Sequence, residues 1–226
     1  MNNTDFLLLQ INDALFPIGG YSHSYGLETY IQKDILKSEE QIVKYIKNRL
    51  EYSLAPTELL GARLAWQNAD SLSYLQELDE ILTASKLPSE ILSASVKLGS
   101  RFIKTLKHCD IELEYDYFKC YSESEHSTKH HSTAYGVVCR AANADLKKSI
   151  SAFVYSQCSQ MVTNCVKTVP LSQSSGQKIL YGLHSDMGKI TDRVLSMNER
   201  ELCASTPAFD IRAMQHETLY SRLYMS

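Results

Sequence analysis

Apolar residues along most of this chain recur at three- and four-residue intervals, the spacing of amphipathic helices. From Gln41 to Leu54, the side chains of Ile42, Val43, Ile46, Leu50 and Leu54 mark one helical face, while Lys44, Lys47 and Glu51 point away. Ser38 followed by Gln41 predicts a capping box at its start. Pro56 is expected to interrupt the backbone ladder, with a second helix from Thr57 to Ala69 carrying Leu59, Leu60, Leu64 and the single tryptophan, Trp66. Segments Ser71 to Thr83 and Ser89 to Leu106 follow, each opened by a serine suited to an N-cap and separated by Leu87-Pro88.

Two stretches depart from this pattern. In Ile111 to Tyr117 apolar residues alternate with acidic ones, the period of a half-buried strand, but no second alternating segment could pair with it. Helix or irregular structure is therefore expected there, and a loop over Ser122 to Ser132. The longest helix should run from Asp145 to Thr168, with Leu146, Ile150, Phe153, Val154, Met161, Val162, Cys165 and Val166 forming an apolar face about 35 Å long at ~1.5 Å per residue. From Ser149 to Val166 it has no charged residue. Such a helix should be central and contacted on nearly all sides, with its hydroxyls and amides facing a partner or a wet cavity. Pro170 stops it. The pattern predicts an all-α, single-domain bundle of about ten helices around this central, mostly buried helix.

Composition agrees with an ordinary globular chain: 226 residues, 44% hydrophobic and 22% charged, with nine Gly and five Pro. The formal net charge of -3, with signs interspersed, provides no basic stripe for a nucleic acid. Neither a signal peptide nor an apolar run of membrane-spanning length is visible, so a cytoplasmic protein without nucleic-acid or membrane partners is expected. Six scattered cysteines without a C-x-x-C pair read as reduced, mostly buried side chains.

Candidate chemistry is sparse. Ile18-Gly19-Gly20-Tyr21-Ser22-His23-Ser24 could supply Ser22 as nucleophile with His23 as base, or backbone amides of Gly19 and Gly20 for an anion. Adjacent residues at a helix start diverge by about 100°, so a turn is the better reading: Pro17 ends the first helix, and Ser22 or Ser24 caps the next toward Glu28. His126, His130 and His131 could bind a metal, but their spacing matches no ligand set, and solvated loop histidines are the simpler expectation. Cys158, Met161 and Cys165 align three sulfurs on a helical stripe that also belongs to the apolar face, so core packing is expected. After Pro207 the tail carries Phe209, Ile211, Met214, Leu219, Tyr220, Leu223 and Tyr224 among Arg212, His216, Glu217 and Arg222. That density of apolar and aromatic groups suits either docking onto a partner or packing on its own domain.

Several stretches together resemble the UreF family of urease accessory proteins. Leu7-Leu8-Leu9-Gln10, then Ala14-Leu15-Phe16-Pro17-Ile18-Gly19-Gly20-Tyr21-Ser22-His23-Ser24-Tyr25-Gly26-Leu27-Glu28, is similar to its amino-terminal motif. His131 to Gly136 resembles its His-x-x-x-x-Gly stretch, Val169 to Gln177 its V-P-L-x-Q-x-x-G-Q element, and Phe209 to Ser226 its carboxy-terminal signature. Ser172 stands where a glycine is common and Tyr224 where a phenylalanine is; Lys33 to Lys129 carries no specific match. The resemblance implies a homodimeric, all-helical scaffold without enzymatic chemistry of its own. It would bridge UreD (or UreH) and the GTPase UreG and regulate GTP-dependent nickel delivery to apo-urease, with no tightly bound cofactor and nickel only in transit. It implies a helical domain over 1–208 and a docking segment over 209–226, in which Met214, Glu217, Leu219, Tyr220, Arg222, Leu223 and Tyr224 contact UreD. Gly19, Gly20, Tyr21, Ser22, His23 and Glu28 would lie in a dimer or UreG-facing region. Two other functions stay open: nickel storage or transfer through the histidines or the sulfur stripe, and a Ser22/His23 hydrolase.

Overall fold

A computed structural model describes residues 3–125, 128–204 and 206–226, which are helical or irregular with no strand among them. The helices are α1 (Asn3–Ile11), α2 (Leu27–Gln32), α3 (Glu39–Arg49), α4 (Leu60–Gln67), α5 (Leu72–Ser85) and α6 (Ser89–His108). After them come α7 (Tyr117–Glu123), α8 (His131–Ala141), α9 (Leu146–Thr168), α10 (Gln173–Gly182), α11 (His184–Ser196) and α12 (Pro207–His216). Helix α9 is the axis, touching α1, α2, α3, α4, α8, α10 and α11. Its buried face is Ile150, Phe153, Val154, Cys158, Met161, Val162 and Cys165, so the sulfur stripe lies in the core as expected. Its uncharged face is not fully enclosed: Ser151, Tyr155 and Thr163 are exposed, and the absence of charge there is not explained by burial within this chain.

Helices α4 and α8 form the tightest crossing. A Cβ on Gly136 would lie 2.2 Å from the Ala62 carbonyl oxygen and 2.9 Å from the Trp66 nitrogen, so only glycine lets the two backbones meet. That is the physical content of the His131 to Gly136 motif. Gly176 in α10 plays a similar part against α9, where an added Cβ would lie 2.6 Å from Val166 Cγ2. Arg63 joins α4 to the end of α11 by donating from Nη1 to the carbonyls of Val194, Leu195 and Met197 at 2.8–3.0 Å. Those carbonyls have no partner in the last helical turn otherwise.

The capping box at Ser38 and Gln41 is present, and Ser71, Asp145 and Ser172 cap α5, α9 and α10 with their side chains. Other boundaries differ from the sequence pattern. Pro56 does not end a helix: Leu50–Leu59 continues α3 into α4 as a π-helix with Pro56 inside. Proline has no N–H to return to the carbonyl five residues back, and that carbonyl, Glu51, is met instead by Arg193 Nη1 at 2.9 Å. Helix α1 ends at Ile11, six residues before Pro17. Neither Ser22 nor Ser24 caps α2; Gly26 does, with a φ of 82° and no side-chain bond. Ser89 does not cap α6 either, because its hydroxyl bonds Glu217 and Pro88 holds the cap position. The alternating segment is irregular, its Tyr115 nitrogen bonding the Ala141 carbonyl at 3.0 Å, and α7 begins only at Tyr117. The loop over Ser122 to Ser132 is shorter than expected, since α7 reaches Glu123 and α8 starts at His131.

Candidate functional site

The glycine turn is held in shape by groups from four directions. Gly19 has a φ of 82°, a backbone conformation that favours glycine, and Arg101 Nη1 lies 2.3 Å from where a Cβ would sit, a contact that the flexible arginine could relieve. Gln160 of α9 donates its side-chain amide to the Gly20 carbonyl, and Asn164 donates to the His23 carbonyl at 2.9 Å. Ser22 Oγ donates back to the Gly19 carbonyl at 2.7 Å, while His23 Nδ1 lies 2.9 Å from the hydroxyl of Ser226. Ser22 and His23 are therefore engaged separately and form no nucleophile and base pair. Burial first, then the charges of Arg101 and Lys97, push the His23 imidazole below its ordinary pKa, which makes it a neutral structural ring. Between Gly19 and Glu28 Tyr21 alone is widely exposed, with the Lys167 ammonium 5.9 Å from its ring centroid.

The tail lies directly on this turn. Met225 N donates to the Ser22 carbonyl at 2.8 Å, and the nitrogens of Ser24 and Tyr25 donate to the Ser226 carbonyl oxygen at 2.6 and 2.9 Å. Gly26 lets α12 approach, since a Cβ on it would lie 3.0 Å from the Ala213 backbone. Phe209 packs its ring against Tyr30 and Tyr45, with centroids 6.2 and 6.1 Å away, and the Arg49 guanidinium sits 5.7 Å from the Phe209 ring centroid. Glu28, 6% exposed, organises the chain beyond α12: its carboxylate accepts from Leu223 N at 2.7 Å and Tyr224 N at 3.0 Å, and faces His216 Nε2 at 3.1 Å.

The residues expected to dock a partner thus divide in two. Met214, Tyr220 and Leu223 are exposed, with Tyr220 fully so, whereas Tyr224 is buried, its hydroxyl 3.5 Å from the Asn164 carbonyl. Leu219 is half-buried, Glu217 accepts from Ser89 at 2.7 Å, and Arg222 bonds Glu90 at 2.7 Å. Ile211 and Met225 add to the exposed apolar edge. The sequence did not single out Glu90 or Asn164, whose partners lie 126 and 141 residues away in the chain.

Beside the tail lies a cavity of about 310 Å³, whose lining includes Glu58, Lys86, His131, Ser132, Cys203 and Asp210. The π-helix turns Glu58 toward Lys86, whose ammonium is 2.8 Å away. Burial acts to raise the Glu58 carboxyl, but Lys86, with His130 and His131, outweighs it and holds the group below the usual carboxylate range. Glu58 Oε2, His131 Nε2 and Ser132 Oγ are buried without a hydrogen-bond partner. His131 also sits among Phe102, Tyr135 and Phe153, and burial pushes its pKa down to about 4.

The solvated-loop expectation for the histidines is corrected by burial. His130 is no solvated loop residue but fully buried, both ring nitrogens 2.9 Å from the hydroxyls of Thr83 and Ser95. His126 lies outside the described residues. The thiols of Cys158 and Cys165 are pushed up to about 12 by burial, which favours the protonated form that binds metals poorly. Among the described residues no three His, Cys, Asp or Glu side chains come together as a metal site, and no helix is long and apolar enough to cross a membrane.

Together the turn and tail define an all-helical protein whose motif residues build an interlocked surface rather than a reacting centre. The family comparisons place it more narrowly. The UreF family model matches residues 36–184, including the middle of the chain where no short motif stands out. A urease accessory protein UreF of Actinobacillus pleuropneumoniae serotype 3 is 36% identical, with 97% of each chain covered. One from Haemophilus influenzae strain PittEE is 33% identical over 97% of this chain and 94% of its own, and one from Corynebacterium glutamicum strain R is 28% identical over 99% of both. The chain belongs to the UreF family.

Proposed function

We propose that this chain is a non-enzymatic scaffold in urease maturation, working as a homodimer in the cytoplasm. It bridges UreD (or UreH) and the GTPase UreG and regulates the GTP-dependent delivery of nickel to apo-urease. The observation that carries this reading is the division of the tail. One edge, Met214, Tyr220, Leu223 and Met225, is apolar and exposed, while the groups behind it are fixed by Glu28 and by the backbone of the glycine turn. A rigid apolar edge loses little conformational entropy on binding, which is what a docking segment needs. The glycine turn, with exposed Tyr21 beside Lys167, is the surface assigned to the dimer or to UreG.

Nickel is cargo in this reading, with no resident cofactor. The cavity beside the tail supports passage over storage: Lys86 already neutralises Glu58, which leaves Asp210 as the other carboxylate of the lining, fewer anionic ligands than a tight divalent site needs. The Ser22 hydrolase has no geometric support, because the hydroxyl and the imidazole serve different partners.

The test uses Tyr220→Ala with Leu223→Ala, since both side chains are exposed and their loss should not disturb the fold. UreD binding measured by titration calorimetry should weaken by at least ~30-fold, the size of two lost hot-spot side chains, with the thermal midpoint unchanged. Unaltered affinity would refute the docking assignment.

A further inference from the structure

His216 closes α12 and is fully buried, yet both of its ring nitrogens face carboxylates from different helices. Nε2 lies 3.1 Å from Glu28 Oε2 of α2, and Nδ1 lies 2.6 Å from Glu90 Oε2 of α6. A carboxylic acid gives up its proton before an imidazolium does, so in this arrangement the two carboxylates accept and the ring donates. Glu28 accepts backbone N–H groups of Leu223 and Tyr224, one on each oxygen, and Glu90 accepts from Arg222 on its other oxygen at 2.7 Å. Both ring nitrogens must therefore donate, which only the imidazolium can do. Charge leads to the same requirement: two nearly buried carboxylates are balanced by Arg222 and a doubly protonated His216. A neutral ring would leave one unbalanced negative charge and a lone pair aimed at a carboxylate oxygen.

From this geometry we infer that His216 is a proton-operated latch for the tail: doubly protonated, it fixes the Glu217 to Tyr224 segment on α2 and α6, and neutral, it lets that segment loosen between α12 and the anchor of Met225 and Ser226 on the glycine turn. The loosened segment carries Tyr220 and Leu223, so the presentation of that part of the apolar edge follows the proton. The other charged groups near the latch are Glu217, which leaves its charge to the Ser89 hydroxyl, and His23, Lys97 and Arg101 on the glycine-turn side. Lys97 and Arg101 are permanent cations that act on His23. Of the bonds that hold Leu223 and Tyr224, those to Glu28 are the ones a change at His216 reaches directly.

The inference concerns the chain alone and is tested without any partner, so its failure is separable from failure of the docking assignment. Amide hydrogen exchange at Leu223 and Tyr224, corrected for the intrinsic effect of pH, would be followed from about pH 5.5 to pH 9, the range in which a histidine titrates. Their protection should fall by up to about tenfold per pH unit once the ring titrates, the slope of a one-proton linkage, while amides of α9 keep theirs. His216→Gln, which can donate but not titrate, should make protection at the two positions independent of pH. Glu90→Gln, which gives a neutral ring a donor to accept from, should flatten the slope while leaving the fold intact. Nitrogen NMR of the imidazole in the unaltered protein covers the case in which both variants misfold: two protonated nitrogens are expected at any pH where Leu223 and Tyr224 are protected. A neutral His216 ring at such a pH, protection at Leu223 and Tyr224 that does not vary with pH, or the same slope in His216→Gln, would each overturn the latch.

Discussion

Asp79 carries more of the fold than its size suggests. Fully buried in α5, its carboxylate accepts from the Tyr121 hydroxyl at 2.8 Å, Lys129 N at 2.9 Å and His130 N at 3.2 Å, and so ties α7 and the entry to α8 onto α5. Replacing it by alanine removes the acceptor of three hydrogen bonds at once, and a buried bond broken on one side costs ~1–3 kcal/mol. Asp79→Ala should therefore lower the unfolding free energy by about 3–5 kcal/mol, read from the urea midpoint at constant slope. His131 makes a second prediction at this scale. Its folded pKa, pushed down to about 4 by burial, lies below the ordinary value of about 6.5. Between those two values the unfolded chain holds the proton and the folded chain does not. Stability should therefore fall as pH drops from about 6.5 to 4, with His131 accounting for up to about 3 kcal/mol. His131→Phe keeps a ring against Phe102 and Phe153 and removes the titration, so urea unfolding at pH 7 and pH 4.5 should differ less in that variant.

At the scale of elements, what was legible in the sequence was whatever depends on local order. The apolar faces of α3 and α9, the helical segments of α5 and α6 and the caps at Ser38 and Ser71 rest on contacts within a few residues, and these agree with the fold. What was not legible depends on partners far along the chain. Pro56 reads as a breaker until Arg193, 142 residues away, supplies a donor to the Glu51 carbonyl. Ser89 reads as a cap until Glu217 takes its hydroxyl. The histidine run reads as a solvated loop because nothing local shows that Thr83 and Ser95 enclose His130. The candidate site shows the same division: the turn and the tail stand out as motifs, but their joining through Glu28 does not. Gly136 offers a test at this level. With the Ala62 carbonyl oxygen 2.2 Å from a would-be Cβ, Gly136→Ala must push α4 and α8 apart. A loss of about 2–3 kcal/mol is expected, at the upper end for one inserted methyl group, and Gly182→Ala, with open space around it, should cost nothing measurable by the same thermal melt.

For the molecule as a whole, the question is whether the segment after Pro207 is an appendage or part of the core. Its exposed edge suits an appendage, but its inner face does not. Phe209 completes a ring cluster with Tyr30 and Tyr45, and Ala213 meets the backbone at Gly26. Phe209, Asp210 and Ala213 close the cavity. His216 bridges the carboxylates of Glu28 and Glu90, and Arg222 pairs with Glu90. Removing residues 207–226 would expose the aromatic cluster, strip one wall from the cavity and leave two carboxylates without their partners. Losses of this kind, the buried Tyr224 ring with the half-buried Phe209 and one broken polar cluster, are worth about 3–5 kcal/mol each. For a chain of this size ~1 kcal/mol shifts the thermal midpoint by about 2–4 °C, so the truncated chain should melt at least ~12 °C lower. Tyr220→Ala with Leu223→Ala, which touches only the exposed edge, should melt within about 2 °C of the unaltered chain. An equal midpoint for the truncated and full-length chains would make the tail an appendage. The expected contrast makes it one structure with two faces, the inner one stabilising this chain and the outer one free for a partner.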